Sequence, residues 1–174
     1  EVLFDTNQLL QRAKNEEEIL SQTASQLMKL LNRSLIVYPE QNGDLGSEQF
    51  FGVDGETAQN IFSAPEERDA ANWTFANKKR SGAGTDSYPD AKGLYLALRT
   101  GGGVFGVVGI DLSEKPLDAF ENSVLLSILG EGALAIENRR NALEKEQATV
   151  QAKNEELRAN LLRTISHDLR TPLT

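Results

Sequence analysis

The chain contains no cysteine and a single histidine, and both scarcities restrict the chemistry open to it. Without cysteine it has no disulfides, thiolate metal sites or cysteine nucleophiles. One histidine cannot build a histidine metal cluster, and no aspartate-rich loop has EF-hand spacing. The sequence therefore predicts no metal site, and any histidine chemistry must use His167.

Positive charge is also scarce, with 18 lysines and arginines against 26 acidic residues and a net charge of -8. Nucleic acid phosphates attract clustered cations, so this balance argues against a nucleic acid partner. No uninterrupted run approaches the roughly 18 apolar residues of a membrane span, and no signal-peptide pattern is seen. We therefore expect a soluble, cytoplasmic segment.

The first fifty residues predict a helix followed by two strands. Apolar residues recur at helical spacing through residues 1–32, which have almost no breakers. Residues 35–38 are apolar or aromatic, two of them β-branched, and are followed by Pro39, which predicts a short strand that ends there. A turn at 41–44 then leads to a partner strand at 48–52.

The next segment predicts two helices and a loop. Asp54 is placed to cap the first helix, and Pro65 with acidic neighbours begins the second. The apolar stripe of the second helix comprises Ala70, Trp73 and Ala76. The basic run 78–80 followed by Gly82 is typical of a helix C-terminus. Residues 82–86 only weakly resemble a phosphate loop, and we interpret them as a surface turn.

A hairpin is the clearest β signal in the sequence. Residues 93–99 alternate, with leucines on one face, and three glycines separate them from a second strand at 104–111. Gly106 and Gly109 lie inside that second strand. They indicate a bulge or a close backbone approach, which would admit either a ligand or a helix.

A long helix is predicted from about Leu117, because the next proline is Pro172. Its apolar residues recur every seven positions, which favours one seam of a parallel coiled coil: Leu129, Ile136, Leu143, Val150 and Leu157. The complementary seam is largely polar: Ala133, Arg140, Gln147, Asn154 and Leu161. The alternative is a single solvated helix with one apolar stripe.

The end of this helix carries the chemically informative residues. A neutral imidazole at His167 has a lone pair that can attack phosphorus. The Asp168 carboxylate can accept a hydrogen bond from one ring nitrogen and so make the other ring nitrogen more basic. On a helix, Arg170 and Thr171 share the face of His167 and would flank a phosphate. The alternative is that His167 is only a polar residue near a helix end.

The string from Ser166 to Leu173, Ser-His-Asp-Leu-Arg-Thr-Pro-Leu, resembles the H-box of sensor histidine kinases. That resemblance implies that His167 accepts phosphate from ATP and passes it to a response regulator. It also implies that Asp168 is the general base and that Thr171 is the polar residue used in dephosphorylation. Pro172 matches the proline that bends the first dimerisation helix.

The order of elements predicts an α+β fold with an antiparallel sheet covered by helices. It resembles a GAF domain whose first and last helices pack on one sheet face, over residues 1–138, with the signalling helix and H-box in 139–174. Three further segments resemble the same region of potassium-responsive bacterial sensor kinases: 70–75, 81–86 and 92–98.

The kinase resemblance implies a homodimer, a response regulator partner and a separate ATP-binding catalytic domain of the same protein. No Asp-x-Gly-x-Gly nucleotide box occurs in these residues, so kinase activity of this segment alone is not expected. We expect no cofactor in the segment, since ATP is used by the parent kinase. The parent is expected in the bacterial inner membrane, attached through its other parts.

The sensory domain carries no signature of a known GAF ligand. A bilin needs a cysteine for attachment, and the only histidine is distant in sequence from the sheet, which argues against haem. We therefore expect a protein-contact surface rather than a small-molecule pocket. The alternative function is a GAF-type ligand-binding or structural dimerisation module of a non-kinase signalling protein.

Overall fold

The computed structural model describes residues 8–170 of the chain. The chain divides into two compact units, Glu1–Glu137 and Asn138–Thr174. The first unit holds the sheet and most of the helices. The second consists, in its described part, of the continuation of one long helix.

An antiparallel sheet forms the centre of the first unit. Its strands are β1 Leu35–Gln41, β2 Asp44–Leu45, β3 Gln49–Phe51, β4 Ser81–Gly82, β5 Gly93–Thr100 and β6 Gly103–Asp111. They run in the order β2-β1-β6-β5-β4, and β3 pairs with β1 off this path. The helices are α1 Glu16–Leu31, α2 Gly55–Ile61, α3 Pro65–Asn77 and α4 Ala119–Arg170. These elements confirm the predicted α+β class.

One face of the sheet is covered by α1 and the first part of α4. Alternating strand residues face these helices, as predicted for the leucines of β5, and the cluster includes Leu94, Leu96, Leu98, Val108 and Ile110. The helices supply Leu20, Ala24, Leu27, Leu125, Ile128 and Ile136. Gly132 lets α4 approach α1 closely, because a Cβ there would lie 2.7 Å from Thr23 Oγ1. The predicted packing of the first and last helices on one face is therefore confirmed.

The other face of the sheet packs against α3 and the residues before it. Its buried cluster comprises Ile36, Tyr38, Leu45, Phe62, Ala70, Ala71, Tyr95 and Val107. These positions alternate with those of the first face, since neighbouring strand residues point to opposite sides. The two clusters leave this sheet with buried side chains on both faces.

The predicted helix over residues 1–32 is wrong in its continuity. Helical residues 8–12 are followed by a break at 13–15, and α1 then begins at Glu16. Asn15 is the N-cap, and its Oδ1 accepts a hydrogen bond from the Glu18 amide at 2.8 Å. Asparagine favours this position over the helix interior, so it starts a new helix. Residues 1–7 lie outside the described part of the chain.

The first strand also differs from its prediction, because β1 continues through Pro39 to Gln41. Pro39 lies beyond the residues that pair with β3 and before those that pair with β2. A proline is tolerated where its missing N–H breaks no ladder bond. The following turn is confirmed, with Asn42 at φ 54° and Gly43 at φ 88°, as in a type I′ hairpin.

The buried stripe of α3 agrees with the predicted one at Ala70 but not at Trp73 or Ala76. Its buried residues are Glu67, Ala70, Ala71 and Thr74, whereas Trp73 is partly exposed and Ala76 is exposed. The predicted position of the helix end is confirmed, but the basic run begins at the C-cap rather than in the last turn, and Lys78 rather than a glycine adopts the left-handed conformation at φ 59°. Gly82 belongs to the edge strand β4, which the sequence did not indicate.

The long helix α4 begins at Ala119, two residues from the predicted start. Asp118 and Glu121 form a reciprocal capping box: Asp118 Oδ1 accepts from the Glu121 amide at 2.7 Å, and Glu121 Oε1 accepts from the Asp118 amide at 3.3 Å. The apolar residues of the predicted seam are buried in the first unit but exposed in the second. Leu129 and Ile136 are buried in the core of the first unit, so they are not coiled-coil residues, and Ala133 of the second seam is buried with them.

Candidate functional site

His167 and Asp168 lie in the last turn of the described part of α4. Both side chains are largely exposed, at 82% and 76%. Asp168 Oδ1 lies 3.9 Å from His167 Nδ1, which is an ion-pair distance rather than a hydrogen bond. Nδ1 is therefore the ring nitrogen that lies near the carboxylate.

An open groove along the helix surrounds the histidine. It is lined by Ala159, Leu162, Arg163, Ser166, His167 and Arg170. Arg163 and Arg170 stand one turn before and one turn after His167, as the helical repeat requires. The structure thus brings together three of the four predicted site residues: His167, Asp168 and Arg170. Thr171 lies outside the described residues, as do Pro172 and Leu173.

The second notable site is a buried carboxyl group beneath the sheet. Glu67 of α3 is 2% exposed, and its carboxyl oxygens accept three hydrogen bonds. The donors are the amide of Lys92 at 2.9 Å, the amide of Gly93 at 3.0 Å and the Tyr95 hydroxyl at 2.8 Å. A buried carboxyl group needs such partners. This set fastens α3 to the start of β5.

Two buried tyrosines fill the same face of the sheet. Burial raises the pKa of Tyr95 far above its usual value, and the neighbouring Glu67 raises it further. Burial also raises the pKa of Tyr38, with a smaller contribution from Glu48. Arg68 opposes that increase, and its guanidinium lies 4.9 Å from the centre of the Tyr38 ring.

The strand glycines have a defined role in this packing. Gly109 pairs with Tyr95 across the two strands, and a Cβ at Gly109 would lie 2.4 Å from Tyr95 Cε1. The close approach that the sequence indicated is therefore made by a side chain of this domain. Sequence reasoning missed Glu67, because a glutamate in the first turn of a helix is usually solvated and complements the dipole.

A further contact joins the tip of the β5–β6 hairpin to α4. The hydroxyl of Thr100 donates to the carboxylate of Glu137, the last residue of the first unit. The same hydroxyl accepts from the Gly102 amide at 3.0 Å. A Cβ at Gly102 would come too close to the Glu137 carboxylate, which would have to shift to admit it.

Among the described residues, α4 is the one helix long and apolar enough to be a membrane-span candidate. This is weak evidence, because a core helix of a globular domain passes the same test. The early part of α4 supplies Leu125, Ile128, Leu129, Ala133 and Ile136 to the core. Packing on the sheet therefore accounts for part of its hydrophobic character.

No family model matches the chain. Curated proteins do: it is 33% identical over 174 residues to the sensor protein KdpD of Clostridium acetobutylicum, covering 99% of this chain and 19% of that protein. It is 28% identical to the sensor protein KdpD of Escherichia coli, again over 99% of the chain and 19% of the relative. The chain thus spans about a fifth of the length of these relatives.

Solved structures have the same fold as the described chain. The GAF domain of the Escherichia coli potassium sensor histidine kinase KdpD matches with a TM-score of 0.56 and 19% identity, covering 86% of this chain and 97% of that one. The GAF domain of an Acinetobacter phosphoenolpyruvate-protein phosphotransferase matches with a TM-score of 0.55 and 11% identity, covering 80% and 93%. These matches identify the fold as a GAF domain with a long C-terminal helix.

Proposed function

Because this chain is a GAF domain with a long C-terminal helix and is related along 99% of its length to a segment of the sensor protein KdpD, we propose that it is the sensory and phosphoacceptor segment of a two-component histidine kinase. The kinase controls a potassium-uptake response. The rival, a ligand-binding or dimerisation module of a non-kinase protein, leaves His167 without a role.

The observation that carries this proposal is the exposed His167 beside Asp168 within the H-box string. In the proposed reaction the Nε2 lone pair attacks the γ-phosphorus of ATP. A nitrogen–phosphorus bond forms, the bond from phosphorus to the bridging oxygen breaks, and its electron pair leaves with ADP. Asp168 takes the proton from the imidazole as the general base. The phosphoryl group then passes to an aspartate of the response regulator.

The flanking residues have distinct proposed roles. Arg170 supplies a cation on the face of His167, where charge develops on the phosphoryl oxygens. Thr171 supplies a hydroxyl for dephosphorylation of the regulator. Since the attack needs a neutral imidazole, acidification slows phosphorylation.

The partners follow from the kinase assignment. A KdpE-like response regulator receives the phosphate, and the ATP-binding catalytic domain belongs to the same parent protein. The chain acts as a parallel homodimer in the cytoplasm, and the parent reaches the inner membrane through its other parts. The exposed apolar residues of the second unit support the dimer, because they recur at heptad spacing: Leu143, Val150 and Leu157.

The test supplies the chain with a histidine kinase catalytic domain and labelled ATP. We expect label on the wild type and none on His167→Gln. Asp168→Asn should be labelled more slowly while its far-ultraviolet circular dichroism stays unchanged. Equal labelling of wild type and His167→Gln would refute the kinase assignment, and an unaltered rate in Asp168→Asn would remove Asp168 as the base.

The input to the GAF domain is proposed to be a protein contact rather than a small molecule. Support comes from the face beneath α3, where the Tyr95 ring covers Gly109 and its hydroxyl binds Glu67. These groups occupy space that a ligand against this part of the sheet would need. Thermal-shift measurements with nucleotides and potassium test this, and a saturable rise in melting temperature with either would contradict it.

A further inference from the structure

Two arginines stand on the His167 face of the helix, and only one belongs to the H-box string. Arg163 precedes His167 by four residues and Arg170 follows it by three, which places all three side chains on one face. The same groove contains all three residues together with Ser166. Arg163 therefore lies beside the histidine although nothing in the motif assigns it a role.

The charge that lines this groove is opposite in sign to the net charge of the chain. The chain has a net charge of -8, yet the lining of this groove contains two arginines and no acidic residue. Arg163 Nη2 donates a hydrogen bond to the neutral Oδ1 of Asn160 at 2.8 Å. An amide oxygen does not neutralise a guanidinium, and one bond uses only one of its five N–H donors.

This arrangement suits a tetrahedral dianion on the histidine. Guanidinium groups present paired N–H donors that match phosphate oxygens, and they keep their charge at every physiological pH. We propose that Arg163 is a phosphate-binding residue that, together with Arg170, holds the phosphoryl group as it is transferred to His167. This inference rests on the proposed function, because it takes His167 as the acceptor.

The step can be examined without a kinase by using potassium phosphoramidate as the donor. The imidazole nitrogen attacks phosphorus, and a new nitrogen–phosphorus bond forms. The bond to the amine nitrogen breaks, its electron pair leaves with ammonia, and the imidazole proton passes to Asp168 or water. Incorporation is followed by phosphorus-31 NMR, and His167→Gln is the blank, because His167 is the only histidine.

The informative variants are Arg163→Gln, Arg163→Lys and the matched control Arg158→Gln. Arg158 precedes His167 by nine residues, which places it on the opposite side of the helix. We expect Arg163→Gln to slow phosphorylation about threefold at low salt, as for an exposed charge, and less as salt rises. Arg163→Lys should recover part of the rate, and Arg158→Gln should match the wild type.

The outcomes separate this inference from the proposed function. If the wild type is phosphorylated at His167 and Arg163→Gln keeps its full rate, the role of Arg163 is refuted alone. If Arg158→Gln slows the reaction as much as Arg163→Gln, the slower rate comes from the loss of positive charge anywhere on the helix, and the inference also fails. If the wild type is not phosphorylated at His167, the role of Arg163 and the proposed role of His167 as the acceptor are both refuted. Circular dichroism of each variant checks that the helix is retained.

Discussion

Arg33, just after α1, and Glu121, in the first turn of α4, form a partly buried ion pair with Nε 3.0 Å from Oε2. The Arg33 guanidinium also donates to the carbonyls of Asp111, Lys115 and Pro116 at 2.7 to 3.0 Å. One side chain thus joins the end of α1, the end of β6 and the capping box of α4. We regard it as the main polar link between the sheet and the start of the long helix.

Arg33→Met should lower the free energy of unfolding by about 3 kcal/mol, because it leaves the partly buried Glu121 carboxylate and three carbonyls without their donor. Urea unfolding followed by the single tryptophan, Trp73, measures this loss. The control is Arg80→Met, since Arg80 is exposed and donates a hydrogen bond to Asn122 Oδ1. It should change stability by less than about 0.5 kcal/mol.

The same pair predicts a loss of stability in acid. The hydrogen bond from Arg33 holds the pKa of Glu121 below its usual value, with burial opposing the effect. A carboxyl group whose folded pKa is lowered stabilises the fold above its unfolded pKa of about 4.3, and this contribution disappears as pH falls through the folded pKa. Glu121→Gln should therefore show a shallower decline of stability below that pH. Equal slopes in the two proteins would contradict the role of this pair.

Tyr95 predicts the opposite behaviour in alkali. Its pKa is raised by burial and by Glu67, so the folded state keeps the proton longer than the unfolded state. This stabilisation is complete below the unfolded pKa of about 10 and is lost as pH rises above it. Tyr95→Phe should cost about 1 kcal/mol at neutral pH, because the bond to Glu67 is lost, and should show a flatter decline above pH 10. If the stability of Tyr95→Phe declines with pH as steeply as that of the wild type, the role of the Tyr95 hydroxyl is refuted.

The sequence predicted what depends on periodicity and turn chemistry. The hairpin, the leucine face of β5 and the long helix follow from spacing and from glycine or proline positions. It failed where tertiary contacts reverse the usual preference of a residue. Glu67 is buried although acids near a helix start are normally solvated, and Leu129 and Ile136 face the sheet although they continue a heptad. The H-box was recognisable because its residues are consecutive, whereas Arg163 became notable only once the helix placed it beside His167.

Two glycines of α4 provide a matched pair for testing the packing of α1 on α4. A Cβ at Gly130 would have nothing within 4 Å, whereas a Cβ at Gly132 would lie 2.7 Å from the buried Thr23 Oγ1. Gly130→Ala should stabilise the domain by up to about 1 kcal/mol, since alanine favours the helix. Gly132→Ala should destabilise it by about 1 kcal/mol or more, because overpacking exceeds that gain. Stabilisation by both substitutions would show that the two helices can separate at this point without cost.

The final prediction concerns the dimer and the change in role along α4. Leu143, Val150 and Leu157 are exposed by 44%, 52% and 66%, so the described residues do not cover this stripe. Burying each such side chain contributes roughly 1.5 to 3 kcal/mol before entropic losses, which should outweigh the polar layers at Arg140, Gln147 and Asn154.

We therefore expect the wild type to sediment as a dimer, and Leu143→Asp with Val150→Asp to sediment as a monomer with its tryptophan-monitored unfolding unchanged. Leu129→Asp is the contrasting variant, because Leu129 is 4% exposed in the core and a charge there should unfold the domain. The dimer should be parallel, since both copies of His167 then lie at one end of the helix pair, within reach of the same catalytic domains. A monomeric wild type at micromolar concentration would refute the coiled coil for residues 138–165.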